Sequence, residues 1–434
     1  MRIQVLDSTL RDGALGEGVH FTIDDKLRLT LELDRFGIDF IEAGWPATSL
    51  EDAEFFRQAR SLQLNHARLS AYGGVRSRIE PLLDAATPVV TVFAGVEDID
   101  AIAHGVRRLK GEGRHVIFLA KSFFDSFRAN HYLALRMLEA AKSGGADVLS
   151  LCDTAGGSLP GRIAEVCREV RKRFDGVLGI HAHNDGGLAV ANTLAAVEAG
   201  FTQVEGCMNG YGERCGCANL ATIVADLELK LGHQVVGPKK LAGLTALART
   251  IAGAVGKPLD SRAPFVGSGA FPHGHGEPVG NIPERSDQNQ PAGPPFEVSS
   301  YEVRTRVVGR TQPLSEASVT LVLNGDVLTG AAQGVGPLEA LDLALRETIS
   351  PLFPSVGRFW LRDYRVRVLD RLAGTAAKVL VDVDWEDGER VWTTSGMSEN
   401  ILSASWEALV EAIYQELARD PKEFRATPDT SWAV

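Results

Sequence analysis

A regular alternation of short apolar runs and longer amphipathic segments over residues 1–232 restricts the possible folds most strongly. The short runs are IQVLD (3–7), FIEAG (40–44), RLSAY (68–72), VVTVF (89–93), VIFLA (116–120), DVLSLCD (147–153), LGIHAH (178–183) and TQVEG (202–206). Strands that are apolar throughout belong to parallel sheets covered on both faces. Eight such strands with helical segments between them predict a (β/α)8 TIM barrel. An open doubly wound sheet is the alternative, but no glycine-rich phosphate loop follows the first run.

The pattern divides the chain into three predicted domains. Residues 1–235 are predicted to form the α/β barrel, and residues 236–312 a subdomain that begins with a helix and becomes a Pro/Gly-rich linker. Residues 313–425 alternate strands and helices again and predict a small α+β domain.

Composition excludes several classes of protein. The chain has 434 residues, of which 44% are hydrophobic and 23% charged, as in ordinary globular proteins. Its formal charge of −11 predicts that neither nucleic acid nor an anionic membrane surface is a partner. The start of the chain lacks the pattern of a signal peptide, and five cysteines without framework spacing predict reduced thiols, so we expect a cytoplasmic protein.

Polar residues at the ends of the predicted strands suggest a metal site. His181 and His183 are two apart in a strand, so their side chains point to the same face. Asp12 lies in the loop after the first strand, which is close to the seventh in an eight-stranded barrel. Two imidazoles and a carboxylate are suitable ligands for a divalent cation. A pair of hydrogen-bonded structural histidines is the alternative.

Several longer motifs resemble one enzyme family. DSTLRDG, IEAGWP, LCDTAGG, GIHAHNDGGLAVANTLAAVEAG and NGYGERCG are similar to the 2-isopropylmalate, homocitrate and citramalate synthases, and particularly to the citramalate synthase branch. GVGPLEALDLALR and SENILSASWEALVEAI resemble that branch's C-terminal regulatory domain. The resemblance covers most of the chain apart from residues 257–312.

The resemblance implies a reaction and roles for residues. Such enzymes join the methyl carbon of an acyl-CoA to the carbonyl of a 2-oxo acid, as homodimers that use a divalent metal. It implies that Asp12, His181 and His183 bind the metal, and that Arg11 and Thr154 hold the carboxylate and the developing alkoxide. The other predicted substrate-binding residues are Glu42, at the end of the second strand, and Glu213, in a turn that faces the substrate.

The chain departs from its family at the predicted active face. Leu15 stands where relatives have glutamine, and Lys121-Ser122 stands where citramalate synthases have Glu-His. Residues 94–98 form a shortened loop. Lys121 is a candidate catalytic base, a partner for a second substrate carboxylate or, after carbamylation, a metal ligand; alternatively it only reaches solvent.

Two further departures concern a cysteine and the linker. Cys217 replaces an asparagine that supports the metal site. As a thiolate ligand it would shift preference from Mg²⁺ or Mn²⁺ towards Zn²⁺, Fe²⁺ or Co²⁺; otherwise it is a buried, unligated cysteine. The shortened linker carries His275, a candidate for the acid/base histidine of the family, with an exposed loop histidine as the alternative.

Three functions remain open from sequence alone. The first is the acyl-CoA:2-oxo acid condensation. The second is a diverged aldolase or lyase that acts on a metal-chelated 2-oxo acid without acyl-CoA. The third is a catalytically silent metabolite sensor, which the retained Arg11, Asp12, His181, His183 and Thr154 argue against.

Overall fold

The computed structural model describes residues 1–257, 259–270, 296–306, 314–323, 325–368, 377–388 and 391–417. The chain forms two compact units, Met1–Pro283 and Glu284–Val434. No helix among the described residues is both long and apolar enough to cross a lipid bilayer.

The first unit is a closed barrel of eight parallel strands in sequential order. The strands are β1 (Gln4–Asp7), β2 (Phe40–Gly44), β3 (Arg68–Gly74), β4 (Val89–Ala94), β5 (His115–Ala120), β6 (Val148–Asp153), β7 (Val177–Ala182) and β8 (Gln203–Gly206). β8 pairs with β1 and closes the ring, with Val5 opposite Val204. The predicted TIM barrel is therefore confirmed.

Helices connect the strands and cover the outside of the barrel. They are α1 (Ile23–Phe36), α2 (Leu50–Ala59), α3 (Glu80–Asp84), α4 (Ile99–Gly111), α5 (Phe123–Gly144), α6 (Pro160–Arg173), α7 (Ala189–Glu198) and α8 (Leu220–Leu229). α1 begins at a capping box between Thr22 and Asp25 and ends at Gly37, whose φ of 101° suits glycine. α5 is interrupted at Asn130, where the backbone is extended.

Side chains pack on both faces of the barrel sheet. An apolar layer between strands and helices forms the main core, while the barrel interior holds a smaller apolar cluster that includes Leu6, Phe40 and Ile117. The interior also contains fully or almost fully buried polar residues, which are Glu42, Ser70, Thr91, Ser150, Gln203 and Glu205. Such an interior requires partners for its polar groups.

Two short helices follow the barrel, α9 (Pro238–Leu241) and α10 (Leu244–Ala254). Leu241, Leu244 and Ile251 belong to the main barrel core. The helical part of the segment predicted as a linker subdomain, 236–312, therefore packs as part of the barrel unit.

The second unit repeats a pattern of three antiparallel strands followed by a helix. Its elements are β9 (Glu297–Arg306), β10 (Leu314–Leu323), β11 (Asp326–Gly334), α11 (Pro337–Ile349), β12 (Trp360–Val368), β13 (Val379–Glu386), β14 (Val391–Ser398) and α12 (Ile401–Leu417). One sheet has the order β11-β10-β9 and the other β12-β13-β14. Both sheets contribute to a single core with α11 and α12.

The second unit begins earlier than residue 313, where the sequence pattern placed it. β9 pairs along β10, with Val303 opposite Ala317. The side chains of β9 are half-buried or exposed throughout. A strand without an apolar run gives no strand signal, which explains why its residues resembled a linker.

Candidate active site

The loop after β1 is folded tightly by its own backbone and by β8. The carbonyl of Ser8 accepts from the amides of Arg11, Asp12 and Gly13 at 2.8–3.1 Å. The Thr9 hydroxyl donates to Asp7 at 2.8 Å and accepts from the Met208 amide at 2.8 Å. These bonds fix the backbone that carries Arg11 and Asp12 at the C-terminal mouth of the barrel.

Four side chains converge at this mouth. Ligand atoms of Asp12, His181, His183 and Cys217 all lie within 4.8 Å of one another, and all four residues are buried. The two Nε2 atoms of the histidines are 3.3 Å apart, and the Asp12 Oδ2 lies 3.5 Å from His181 Nε2 and 4.0 Å from His183 Nε2. The three predicted metal ligands and Cys217 are thus brought together.

The electrostatics of this cluster suit a cation. Burial raises the pKa of Asp12, but Arg11 and the histidines lower it by more, so its pKa lies well below its usual range. Burial and then the neighbouring His183 lower the pKa of His181 to about 3, which leaves its imidazole neutral. Asp12 Oδ1 is buried without a hydrogen-bond partner among the described residues. A carboxylate and two neutral imidazoles on one buried point fit a divalent metal ion.

Cys217 contributes a thiol at the edge of the cluster. Its hydrogen bond with Cys207 and then its burial raise its pKa. Cys207 in turn lies 3.3 Å from the Ser8 hydroxyl. Cys215 is exposed, whereas Cys207 and Cys217 are buried. Among the described residues, the Cys217 thiol therefore lies close enough to the other three ligand atoms to bind the same ion. It is also hydrogen-bonded to the free Cys207 thiol.

Arg11 is held from three directions. Its Nε donates to Glu42 Oε1 at 2.6 Å, and its Nη1 lies 3.0 Å from Asp12 Oδ2. Its guanidinium lies 4.0 Å from the centre of the Tyr72 ring. Burial raises the pKa of Glu42, which is fully buried. Since Glu42 contacts Arg11 directly, its contacts favour a role in orienting that side chain.

An aromatic group beside Arg11 was not predicted from the sequence. Tyr72 and Phe93 stack with ring centres 5.1 Å apart, and Trp45 meets both edge-on. Lys121 is exposed, and its Nζ lies 5.7 Å from the centre of the Phe93 ring. Lys121 is therefore placed at the rim of the mouth rather than in the buried cluster.

Thr154 lies at the end of β6 with its hydroxyl oxygen accepting from the Ser122 amide at 2.9 Å. The hydroxyl hydrogen is thus available for another acceptor. Arg214 donates to the Thr154 carbonyl at 2.6 Å and to both carboxylate oxygens of Asp185 at 2.7 and 2.9 Å. Glu213 lies 3.0 Å from Arg214 and is about half exposed. Arg214 therefore ties together the loops after β6 and β7.

The structure leaves some predicted residues apart and adds others. Leu15 is exposed, and His275 lies outside the described residues. Sequence reasoning missed Tyr72 and Arg214 as partners, and it missed Glu205, a buried carboxyl whose pKa burial raises to about 7. The available signal for Glu205 was an ionisable residue in the predicted strand TQVEG, two residues after Gln203 and so on the same face.

Comparison with known proteins agrees with this geometry. The HMGL-like family model matches residues 2–251, and the LeuA allosteric (dimerisation) domain matches residues 285–417. The chain belongs to the HMGL-like family. The predicted family resemblance is thus confirmed.

Relatives match nearly the whole chain. An (R)-citramalate synthase from Aquifex aeolicus is 36% identical, covering 97% of this chain and 99% of the relative. One from Synechocystis is 37% identical, covering 94% of each chain. A probable 2-isopropylmalate synthase from Methanopyrus kandleri is 28% identical, covering 96% of this chain and 99% of the relative.

Solved structures agree at the level of fold. An HMG-CoA lyase from Bacillus subtilis has a TM-score of 0.54 at 22% identity, covering 60% of this chain and 96% of that one. The hydroxymethylglutaryl-CoA lyase from Pseudomonas aeruginosa has a TM-score of 0.52 at 20% identity, with 60% and 96% covered. At these identities the likeness supports the barrel fold alone.

Proposed function

We propose that the chain catalyses the condensation of an acyl-CoA with a 2-oxo acid, as a synthase of the citramalate type. The observation that carries the proposal is the convergence of Asp12, His181 and His183 at the mouth of the barrel. It occurs in a chain that matches (R)-citramalate synthases over almost its full length.

The names of these relatives suggest the substrates. Citramalate carries a methyl group and a hydroxyl group on one carbon, next to a carboxylate. Addition of the acetyl methyl carbon of acetyl-CoA to the carbonyl of pyruvate forms the carbon–carbon bond of this skeleton, and hydrolysis of the thioester by water then gives the second carboxylate and releases CoA. We therefore propose pyruvate as the 2-oxo acid and acetyl-CoA as the acyl donor.

The residues at the mouth have different proposed roles in the reaction. A divalent cation on Asp12, His181 and His183 would supply a Lewis acid beside the carbonyl of the oxo acid. Arg11, held in place by Glu42, offers its remaining N–H groups to the substrate carboxylate or to the negative charge that develops on oxygen. The Thr154 hydroxyl can donate to the same oxygen. Glu213 remains a proposed contact of the substrate.

The base that removes a proton from the acyl methyl group is proposed to be Lys121 or His275. Lys121 lies at the exposed rim of the mouth, where an ammonium can also pair with a substrate anion. For the metal we propose Mg²⁺, Mn²⁺ or Zn²⁺, and Zn²⁺, Fe²⁺ or Co²⁺ if Cys217 is a ligand.

A thiol-release assay tests the reaction. Purified protein with each cation is mixed with acetyl-CoA and pyruvate, 2-oxoisovalerate or another oxo acid, and free CoA and product mass are measured. We expect CoA release with pyruvate, and none from the His181→Ala variant. Protein that retains metal but releases no CoA with any oxo acid would instead support a lyase that does not use acyl-CoA.

We also propose a homodimer. The match of residues 285–417 to a domain described as allosteric and dimerising supports this assembly. Sedimentation velocity of the 46.6 kDa chain tests it, because a monomer at micromolar concentration would contradict the proposal.

A further inference from the structure

Glu205 is the neighbour of His181 across the junction of β7 and β8. The two residues stand opposite each other in the parallel ladder. Glu205 is 1% exposed, and its Oε2 lies 3.8 Å from His181 Nδ1. The carboxylate therefore faces the side of the imidazole that points away from the metal cluster.

The facing atoms of His181 and Glu205 are both unpaired among the described residues, and Ser150 is the other side chain whose hydroxyl can donate to the Glu205 carboxylate. His181 Nδ1 and Glu205 Oε2 are both buried and make no hydrogen bond among the residues that the structure describes. Buried polar atoms are nearly always paired in folded proteins, so an unpaired donor and acceptor side by side point to each other. The other carboxylate oxygen, Oε1, accepts from Gln203 Nε2 at 3.0 Å, which fixes the orientation of Glu205.

A glycine makes room for this arrangement. Gly179 precedes His181 by two residues in β7, so both face the same side of the strand. A Cβ atom at Gly179 would lie 2.9 Å from Ser150 Oγ and 3.3 Å from Glu205 Oε1. Glycine inside a strand is typical of a place where another group approaches closely. Here the Ser150 side chain lies nearest to that space, and the Glu205 carboxylate lies beside it.

The chemistry of a neutral imidazole supplies the reason. His181 Nε2 faces Asp12 and His183, so it must present a lone pair if it binds a cation. The single proton then resides on Nδ1 and needs an acceptor. We propose that Glu205 is a positioning residue. Its carboxylate accepts a hydrogen bond from Nδ1–H of His181, and this bond directs the Nε2 lone pair of His181 at the metal site. The inference rests on the proposed metal centre.

The tautomer of His181 in metal-free protein is the first test. In ¹⁵N-histidine NMR spectra, with the His181 signals assigned through His181→Ala, we expect the Nδ1–H form in the wild type. Glu205→Ala should give a mixture of both neutral forms. Glu205→Gln keeps an oxygen acceptor of the same size and should restore the Nδ1–H form. A merely structural role for Glu205 would not change the tautomer.

Metal affinity is the second test. Titration with Mn²⁺ or Zn²⁺ should give a dissociation constant about 10- to 100-fold higher for Glu205→Ala than for the wild type. The control Ser70→Ala removes a different buried polar group of the barrel interior, a hydroxyl that bonds to Thr91 at 2.7 Å, and should leave the affinity unchanged.

The outcomes separate the two proposals. Equal affinity and an unchanged tautomer in Glu205→Ala would overturn the role of Glu205 while leaving the metal centre intact. Wild-type protein that binds no cation would overturn the metal centre itself.

Discussion

The guanidinium of Arg11 donates to Glu42, lies against Asp12 and covers the Tyr72 ring. Lysine has one charged group on a flexible stem and cannot reproduce this planar fork. We expect Arg11→Lys to lower kcat/KM by about 10²- to 10³-fold, the usual cost of losing a donor to a developing oxyanion. Steady-state kinetics with pyruvate and acetyl-CoA measure the effect. An unchanged kcat/KM in a folded, metal-loaded variant would rule out this role.

Lys121 and His275 differ in the result we expect from their removal. Because the Lys121 side chain is exposed at the rim of the mouth, we expect Lys121→Ala to raise KM, with kcat changing by less than about tenfold. Lys121→Arg, which keeps the charge, should restore KM. We expect His275→Ala to lower kcat by about 10²- to 10⁴-fold, as for a lost general base. A fall of that size in kcat for Lys121→Ala, with none for His275→Ala, would instead identify Lys121 as the base.

The three predicted metal ligands could be found from the sequence because each lies near the C-terminal end of a strand. Asp12, His181 and His183 lie at or after strand ends, which meet at one mouth in a barrel. Their partners were not predictable. Glu205 reaches His181 only through the register of β7 and β8, and Tyr72 meets Arg11 from a different strand.

At the scale of elements, periodicity located the structures with clear apolar faces. Apolar residues recur at helical spacing in the segments that form α1 and α11. β9, β11 and β14 carry mixed or exposed side chains and gave no comparable signal. Strands of this kind are defined by pairing with neighbours, which a single sequence does not display.

One carboxylate of α1 holds the loop that precedes β3. Asp34, at 3% exposure, accepts from the amides of Asn65, His66 and Ala67 at 3.0, 2.8 and 2.7 Å. Burial raises its pKa, but these three amides lower it by more. We expect Asp34→Asn to reduce the free energy of unfolding by about 1–3 kcal/mol at pH 7, since hydrogen bonds to charged groups are strong. Urea denaturation followed by circular dichroism measures the loss.

The pH dependence of this loss has a definite sign. A carboxyl with a lowered pKa in the folded state stabilises the protein above its unfolded pKa and loses that effect as the pH falls through the folded pKa. The difference between wild type and Asp34→Asn should therefore be complete near pH 7 and shrink below about pH 4. The exposed Asp175→Asn is the control and should show no comparable difference. A gap that stays constant down to pH 3 would contradict this explanation.

At the scale of the whole molecule, each unit has its own apolar core. The barrel unit contains the cluster of Asp12, His181, His183 and Cys217, and the second unit matches the LeuA allosteric (dimerisation) domain. A barrel followed by a smaller α+β domain could be predicted from the sequence, because a Pro/Gly-rich segment interrupts the pattern of strands and helices between them. How two copies of the chain would associate depends on surfaces that only the folded strands reveal.

β12 forms one edge of its sheet and exposes apolar side chains. Trp360 is 53% exposed, Val366 39% and Val368 51%. An apolar edge strand is a template for pairing with another chain. We therefore expect the proposed dimer to form through β12.

Val366→Glu places a charge on β12 and should raise the dimer dissociation constant at least about tenfold, which corresponds to about 1.4 kcal/mol. Val391→Glu, on the opposite edge strand β14 and 47% exposed, is the matched control and should leave the assembly unchanged. Sedimentation velocity over a range of concentrations measures both variants, and a dimer that weakens only with Val391→Glu would place the interface at the other edge.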